Sequence, residues 1–156
     1  MRRWSRLFAL ALATAAPAAA EPPLEALGAD GARVELALGA DEAALIVHFW
    51  ASWCPECVRE LPRLEGVAER CRGSIRVAAV NVGESAAAAE SFRARYGLRL
   101  PLLRDPDGDL WRRFARGLPA NLIWTRAGRR VVTGPGDHAE WDQRLAELGC
   151  EVAKSP

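Results

Sequence analysis

The chain has 156 residues, half of them apolar, and a formal net charge of +1. That length supports one domain with a proper core and is too short for two. The near balance of charge leaves no basic face, which argues against nucleic-acid binding.

The first twenty residues are predicted to be a leader. Arg2, Arg3 and Arg6 form a basic start, residues 7–16 a short apolar run, and Ala18, Ala19 and Ala20 supply small residues for cleavage. This is the layout of a secretory signal peptide over 1–20. The run is short for a bilayer span, and an uncleaved anchor is the alternative. The leader holds three of the 21 basic residues and none of the 20 acidic ones, so its removal leaves a slightly acidic chain.

Residues 21–32 contain Pro22, Pro23, Gly28 and Gly31 and are predicted to be an irregular lead-in. The domain itself is expected over 33–150, with 151–156 as a tail. Val34, Leu36 and Leu38 alternate with other residues and predict a short edge strand. Residues 44–50 are almost unbroken in apolar character, as in a central strand covered on both faces. Residues 54–70 carry Leu61, Leu64, Val67 and Ala68 at helical spacing, with Pro62 expected to bend the helix. Residues 75–82 read as a second buried strand. Residues 86–96 form an Ala-rich helix with Phe92 and Tyr96 one turn apart, capped at Gly97.

Asp105-Pro106-Asp107-Gly108 predicts a turn, followed by a short helix with Trp111 and Phe114. Residues 121–125 and 129–133 flank Gly128 as a hairpin. A last helix is expected from Asp137, with Glu140 placed for a capping box and Trp141, Leu145 and Leu148 inward. His138 on this helix reads as a surface residue.

The most telling stretch is Trp53-Cys54-Pro55-Glu56-Cys57, between an apolar strand and an amphipathic helix. A dithiol at a helix start meets unpaired backbone N–H groups and the positive end of the helix dipole. Both favour an anion, and the thiolate is the reactive form of cysteine. Two intervening residues let the second sulfur close on the first. A zinc site would need four ligands. Cys71 and Cys150 are widely separated singles, and His48 and His138 are not at a ligand spacing, so no metal is expected. A purely structural disulfide remains an alternative.

Phe49-Trp50-Ala51-Ser52-Trp53-Cys54-Pro55-Glu56-Cys57 and the following Val58-Arg59-Glu60-Leu61-Pro62 resemble the thioredoxin superfamily, in particular the periplasmic TlpA/ResA-type thiol–disulfide oxidoreductases. Residues 77–85, with Asn81-Val82-Gly83-Glu84-Ser85, resemble that family's next strand and the start of its insertion. Gly117-Leu118-Pro119 resembles its cis-proline loop. The resemblance runs over roughly residues 24–149. It implies an α/β, thioredoxin-like fold: a central mixed sheet, helices on both faces and an inserted helical segment.

The order of the cysteines makes Cys54 the candidate nucleophile, expected to be exposed, and Cys57 the deeper resolving thiol. Glu56 beside Cys54 opposes its ionisation unless solvated, which leans the dithiol towards a reductant. Glu60, one turn past Cys57, matches a family Glu and is a candidate proton acceptor; the alternative is a surface ion pair. His48 stands where the family has Asn and thioredoxin a buried Asp. It is expected on the face opposite Phe49, beneath the helix, as a candidate proton relay or a satisfied core histidine. Trp53, Pro55, Leu118 and the candidate cis-Pro119 are the expected substrate-binding residues, with the Leu118 backbone open to strand addition.

The resemblance further implies protein thiol or disulfide clients, a membrane electron donor of DsbD/CcdA type, no cofactor and a monomer in the periplasm. Cytochrome c maturation is one candidate pathway. A peroxiredoxin reading lacks its Pro-x-x-x-Thr-x-x-Cys site, and a copper-binding module lacks Met and His beside the pair. In a thioredoxin fold the first and last helices lie on one face and run the same way. A structural Cys71–Cys150 disulfide is therefore expected at their C-terminal ends.

Overall fold

The computed structural model describes residues 23–134 and 138–150, the side chains of residues 138–140 excepted. The leader 1–20, the tail 151–156 and the proposed cap at Asp137 and Glu140 lie outside the described residues, as does the His138 side chain. The elements in chain order are β1 (Leu24–Leu27), β2 (Arg33–Leu36), β3 (Ala44–Trp50), α1 (Pro55–Arg70), β4 (Ile75–Val82), α2 (Ala86–Tyr96), β5 (Leu102–Asp105), α3 (Asp109–Arg112), β6 (Ala120–Thr125), β7 (Gly128–Thr133) and α4 (His138–Glu147).

The seven strands form one mixed sheet in the order β2-β1-β5-β4-β3-β6-β7. β3, β4 and β5 run parallel, and the outer pairings are antiparallel. β3 is central and all seven of its residues are buried. Strand alternation splits it between two cores. Leu45, Val47 and Phe49 meet Leu110 and Ala115 on the α3 face; Ala44, Ile46 and Trp50 meet α1, α4 and Ala89 of α2 on the other. The expected mixed sheet with helices on both faces and an inserted helix is what the chain builds.

α1 follows from its sequence. Cys54 sits at the N-cap, Pro55 occupies the first helical position where its missing N–H costs nothing, and Arg70 sits in the last turn against the negative end of the dipole. Cys57, Leu61, Leu64 and Val67 form the buried stripe. Pro62 lies inside the helix without ending it. α2 is capped by Ser85, whose hydroxyl accepts from Ala88 N–H, and ends at Gly97, whose left-handed φ of 62° suits a residue without Cβ.

Two expectations change. Residues 21–32 are not wholly irregular: β1 lies among them, pairs with β2 and buries Leu24 and Ala26. β5 was not foreseen, because Leu102-Leu103 is too short an apolar run to show periodicity. The structure also joins Cys71, which caps α1, to Cys150 beyond α4, with Cα atoms 5.6 Å apart.

Candidate active site at the start of α1

β3 ends at Trp50 and α1 begins at Pro55 after four intervening residues, so the dithiol stands at the C-terminal edge of the central strand. Cys54 and Cys57 form a disulfide with Cα atoms 5.3 Å apart. The Cys57 N–H reaches Cys54 Sγ at 3.3 Å, so the first sulfur takes one of the orphan donors of the helix start. Cys54 is less open than the sequence suggests: it keeps 5% of its surface, against 0% for Cys57. The order of access holds, but only a sliver of Cys54 meets solvent. Trp53 is 69% exposed and stands over the edge of the site. Pro55 is exposed beside it. Glu56 does not act as a bare charge on the sulfur, because its carboxylate pairs with Arg59 one turn on.

The floor of the site is polar and buried. His48 is fully buried on the α1 side of β3. Its Nδ1 lies 2.8 Å from Asn121 Oδ1, and Asn121 Nδ2 donates to Glu60 Oε2 at 3.2 Å. The amide orientation that satisfies Glu60 leaves its oxygen as the acceptor for His48 Nδ1–H. His48 Nδ1 is also 3.5 Å from Glu60 Oε2. Among the described residues Nε2 has no hydrogen-bond partner. Burial pushes the imidazole below its ordinary 6.5, against the raising pull of Asn121, the Glu60 charge and the Cys57 backbone. His48 is therefore a neutral base at pH 7. The β3–β6 register, which sets His48 opposite Asn121, makes this contact unavoidable.

A second polar cluster holds the approach to Cys54. Glu84, just past β4, accepts from Ser52 N–H at 2.7 Å, from Ser52 Oγ at 2.5 Å and from Asn81 Nδ2 at 2.6 Å. Burial alone would raise its carboxyl, but the hydrogen bonds from Ser52 and Asn81 outweigh that and hold it below its ordinary value. Sequence reasoning assigned no role to Ser52, Asn81, Glu84 or Asn121. Asn81 and Asn121 left a signal: each is a polar residue inside an apolar strand, and such groups need a partner. The Ser52–Glu84 pair, 32 residues apart, left none.

The Leu118–Pro119 peptide bond is cis. Leu118 packs against both cores and, with Trp53, lines a surface cavity of about 300 Å³. Neither backbone group of Leu118 takes part in a hydrogen bond among the described residues. The fold thus gathers Cys54, Cys57, Glu60, His48, Trp53, Pro55, Leu118 and Pro119 around one end of α1, while Cys71 and Cys150 lie at the other. Among the described residues no group of three or more His, Cys, Asp or Glu side chains is placed to hold a metal ion.

A dithiol at a helix start, over a buried base and beside an unpaired strand segment, can exchange with an extended disulfide and move a proton beneath it. The chain is 29% identical to the thiol-disulfide oxidoreductase ResA of Bacillus subtilis over 109 residues, 67% of this chain and 60% of ResA. It is 31% identical over 82 residues to the soluble secreted antigen MPT53 of Mycobacterium tuberculosis, 53% of this chain and 43% of that one. The chain thus spans about 60% of the length of the ResA proteins it matches.

Among solved structures, a secreted Mycobacterium tuberculosis disulfide oxidoreductase homologous to Escherichia coli DsbE superposes with a TM-score of 0.64 at 27% identity, over 79% of this chain and 94% of that one. A thioredoxin-family thiol:disulfide interchange protein of Chlorobium tepidum gives 0.65 at 25% identity, over 87% and 99%. The fold is therefore thioredoxin-like. The family model for AhpC/TSA matches residues 14–129, most of the sequence, and the chain belongs to the AhpC/TSA family.

Proposed function

We propose that the protein is an exported thiol–disulfide oxidoreductase that reduces protein disulfides with the Cys54–Cys57 dithiol. The observation that carries this reading is the disulfide at the α1 N-terminus, beside the open Leu118 backbone. The Cys54 thiolate attacks one sulfur of a client disulfide, forms a mixed disulfide and releases the client's other thiolate. Cys57 then loses its proton and attacks Cys54 Sγ, which frees the client's second thiolate and closes the Cys54–Cys57 bond. Glu60 accepts the Cys57 proton through the polar floor, and His48, neutral and bonded to Asn121, holds that floor in place and can store the proton. Trp53, Pro55, Leu118 and Pro119 form the client surface, where an extended segment pairs with the Leu118 backbone.

A reductant fits better than an oxidant. Strong oxidants owe their potential to a stabilised thiolate in the reduced form. Here both cysteines keep 5% of their surface or less, which weakens that stabilisation. The expected leader supports export to the bacterial periplasm, where reducing power would come from a membrane donor of DsbD/CcdA type and clients would include apocytochromes awaiting haem attachment. The protein acts as a monomer without a cofactor. Insulin reduction by the leader-free chain, with dithiothreitol as terminal reductant, tests the reading. Acceleration over dithiothreitol alone that vanishes in Cys54→Ser is expected. No acceleration by the wild-type protein would overturn it.

A further inference from the structure

The geometry points to Arg116 as a specificity residue that selects client cysteines flanked by an acidic side chain. This inference rests on the reading of the dithiol as a client reductase. The cavity of about 300 Å³ beside the dithiol has walls of Trp53, Trp111 and Leu118, and Arg112 and Arg116 at its rim. Its aromatic walls suit one bulky apolar side chain of an extended segment.

The rim cations differ. Arg112 is neutralised by Asp109, with Nη2 2.6 Å from Oδ1. Arg116 is exposed and makes no ion pair among the described residues. Its Nη1 donates only to the backbone carbonyls of Arg112 and Ala115. These contacts hold the guanidinium at the cavity while leaving Nε and Nη2 without protein acceptors. Asp107 lines the same cavity, so the rim is not a broad cationic field but a single free fork.

Arg116 also lies two residues before Leu118, whose unpaired N–H and C=O offer the strand-pairing position. A client held there with its cysteine at Cys54 places neighbouring side chains at the cavity. An Asp or Glu among them meets a guanidinium that presents two donors in fixed geometry. The other acidic groups near the dithiol are already engaged: Glu56 by Arg59 and Glu84 by Ser52 and Asn81. Arg116 is thus the unspent charge closest in sequence to the strand-pairing segment.

The test uses the leader-free chain and short single-cysteine peptides, each activated as a neutral 2-pyridyl disulfide and matched in an apolar residue. One set carries Asp or Glu beside the cysteine, one Gln or Asn, one Lys. Attack of the reduced Cys54 on the peptide sulfur releases pyridine-2-thione, which is followed by absorbance, and Cys57 then frees the peptide thiol. The acidic peptides are expected to react with a kcat/KM about fivefold above the neutral ones at low salt, the scale of one exposed ion pair. Arg116→Gln should bring that ratio to about one, Arg116→Lys should restore part of it, and Arg130→Gln on β7, which removes the same charge elsewhere, should retain it. Equal rates for acidic and neutral peptides, or a preference that survives Arg116→Gln, would overturn the assignment while leaving the reductase reading standing. Failure of every peptide to react faster than with free dithiothreitol would instead remove the reductase reading on which it rests.

Discussion

His48 gives its Nδ1–H to Asn121 across 2.8 Å, and through Asn121 a buried base on β3 is tied to the carboxylate of Glu60 on α1. This link predicts how stability responds to pH. Burial sets the folded His48 below its ordinary 6.5, so the unfolded chain binds a proton that the folded one refuses. His48 therefore leaves stability intact above about pH 6.5 and lowers it as pH falls below that value. The slope is at most about 1.4 kcal/mol per pH unit. Urea unfolding of the wild type and His48→Asn between about pH 5 and 8 should show this slope in the wild type and its loss in the variant. Equal slopes would mean that His48 does not carry a depressed titration.

The roles of the two cysteines predict different chemical outcomes. Cys54→Ser should abolish exchange, and Cys57→Ser should accumulate mixed disulfides with clients, since the resolving step is gone. In the reduced protein, iodoacetamide at mild pH should label Cys54 first, because Cys57 is wholly enclosed. Faster labelling of Cys57 would reverse the assignment.

Glu60→Gln keeps an oxygen for the Asn121 amide but cannot take a proton. The fold should survive, while resolution by Cys57 slows by about a hundredfold, a usual contribution from a positioned base. Stopped-flow exchange across a pH series tests this. A rate and pH profile like those of the wild type would make Glu60 a structural partner of Asn121 only.

Much of this site was legible from residue order. The strand 44–50, the helix from Pro55 and the placement of His48 beneath it follow from unbroken apolar character, an N-terminal Pro and period-two counting. The cis-proline loop was visible only through family resemblance, as nothing local in Gly117-Leu118-Pro119 specifies the isomer. Other contacts were hidden because they depend on register between distant strands. His48 meets Asn121 because β3 and β6 pair antiparallel with those residues opposite. Glu84 meets Ser52 because the loop after β4 folds back over the end of β3. β1 escaped notice because Pro22, Pro23 and Gly28 bracket a strand of only four residues.

The Cys71–Cys150 disulfide ties the far end of α1 to the end of α4, joining cysteines 79 positions apart in sequence. On the chain-entropy model such a closure stabilises by about 4 kcal/mol. The double variant Cys71→Ala, Cys150→Ala should lose about that much in urea unfolding yet exchange disulfides at the wild-type rate, since both residues lie at the opposite end of α1 from the dithiol. A loss of activity at temperatures where the variant is still folded would contradict a purely structural role.

The reduction potential of the Cys54–Cys57 pair separates a reductant from an oxidant. The leader-free chain is equilibrated in glutathione buffers of stepped ratio, quenched with acid and alkylated, and the oxidised fraction of this pair is counted by mass. A reductant requires half-oxidation at a potential more negative than about −200 mV; a midpoint above that, towards the roughly −120 mV of strong disulfide oxidants, would contradict it.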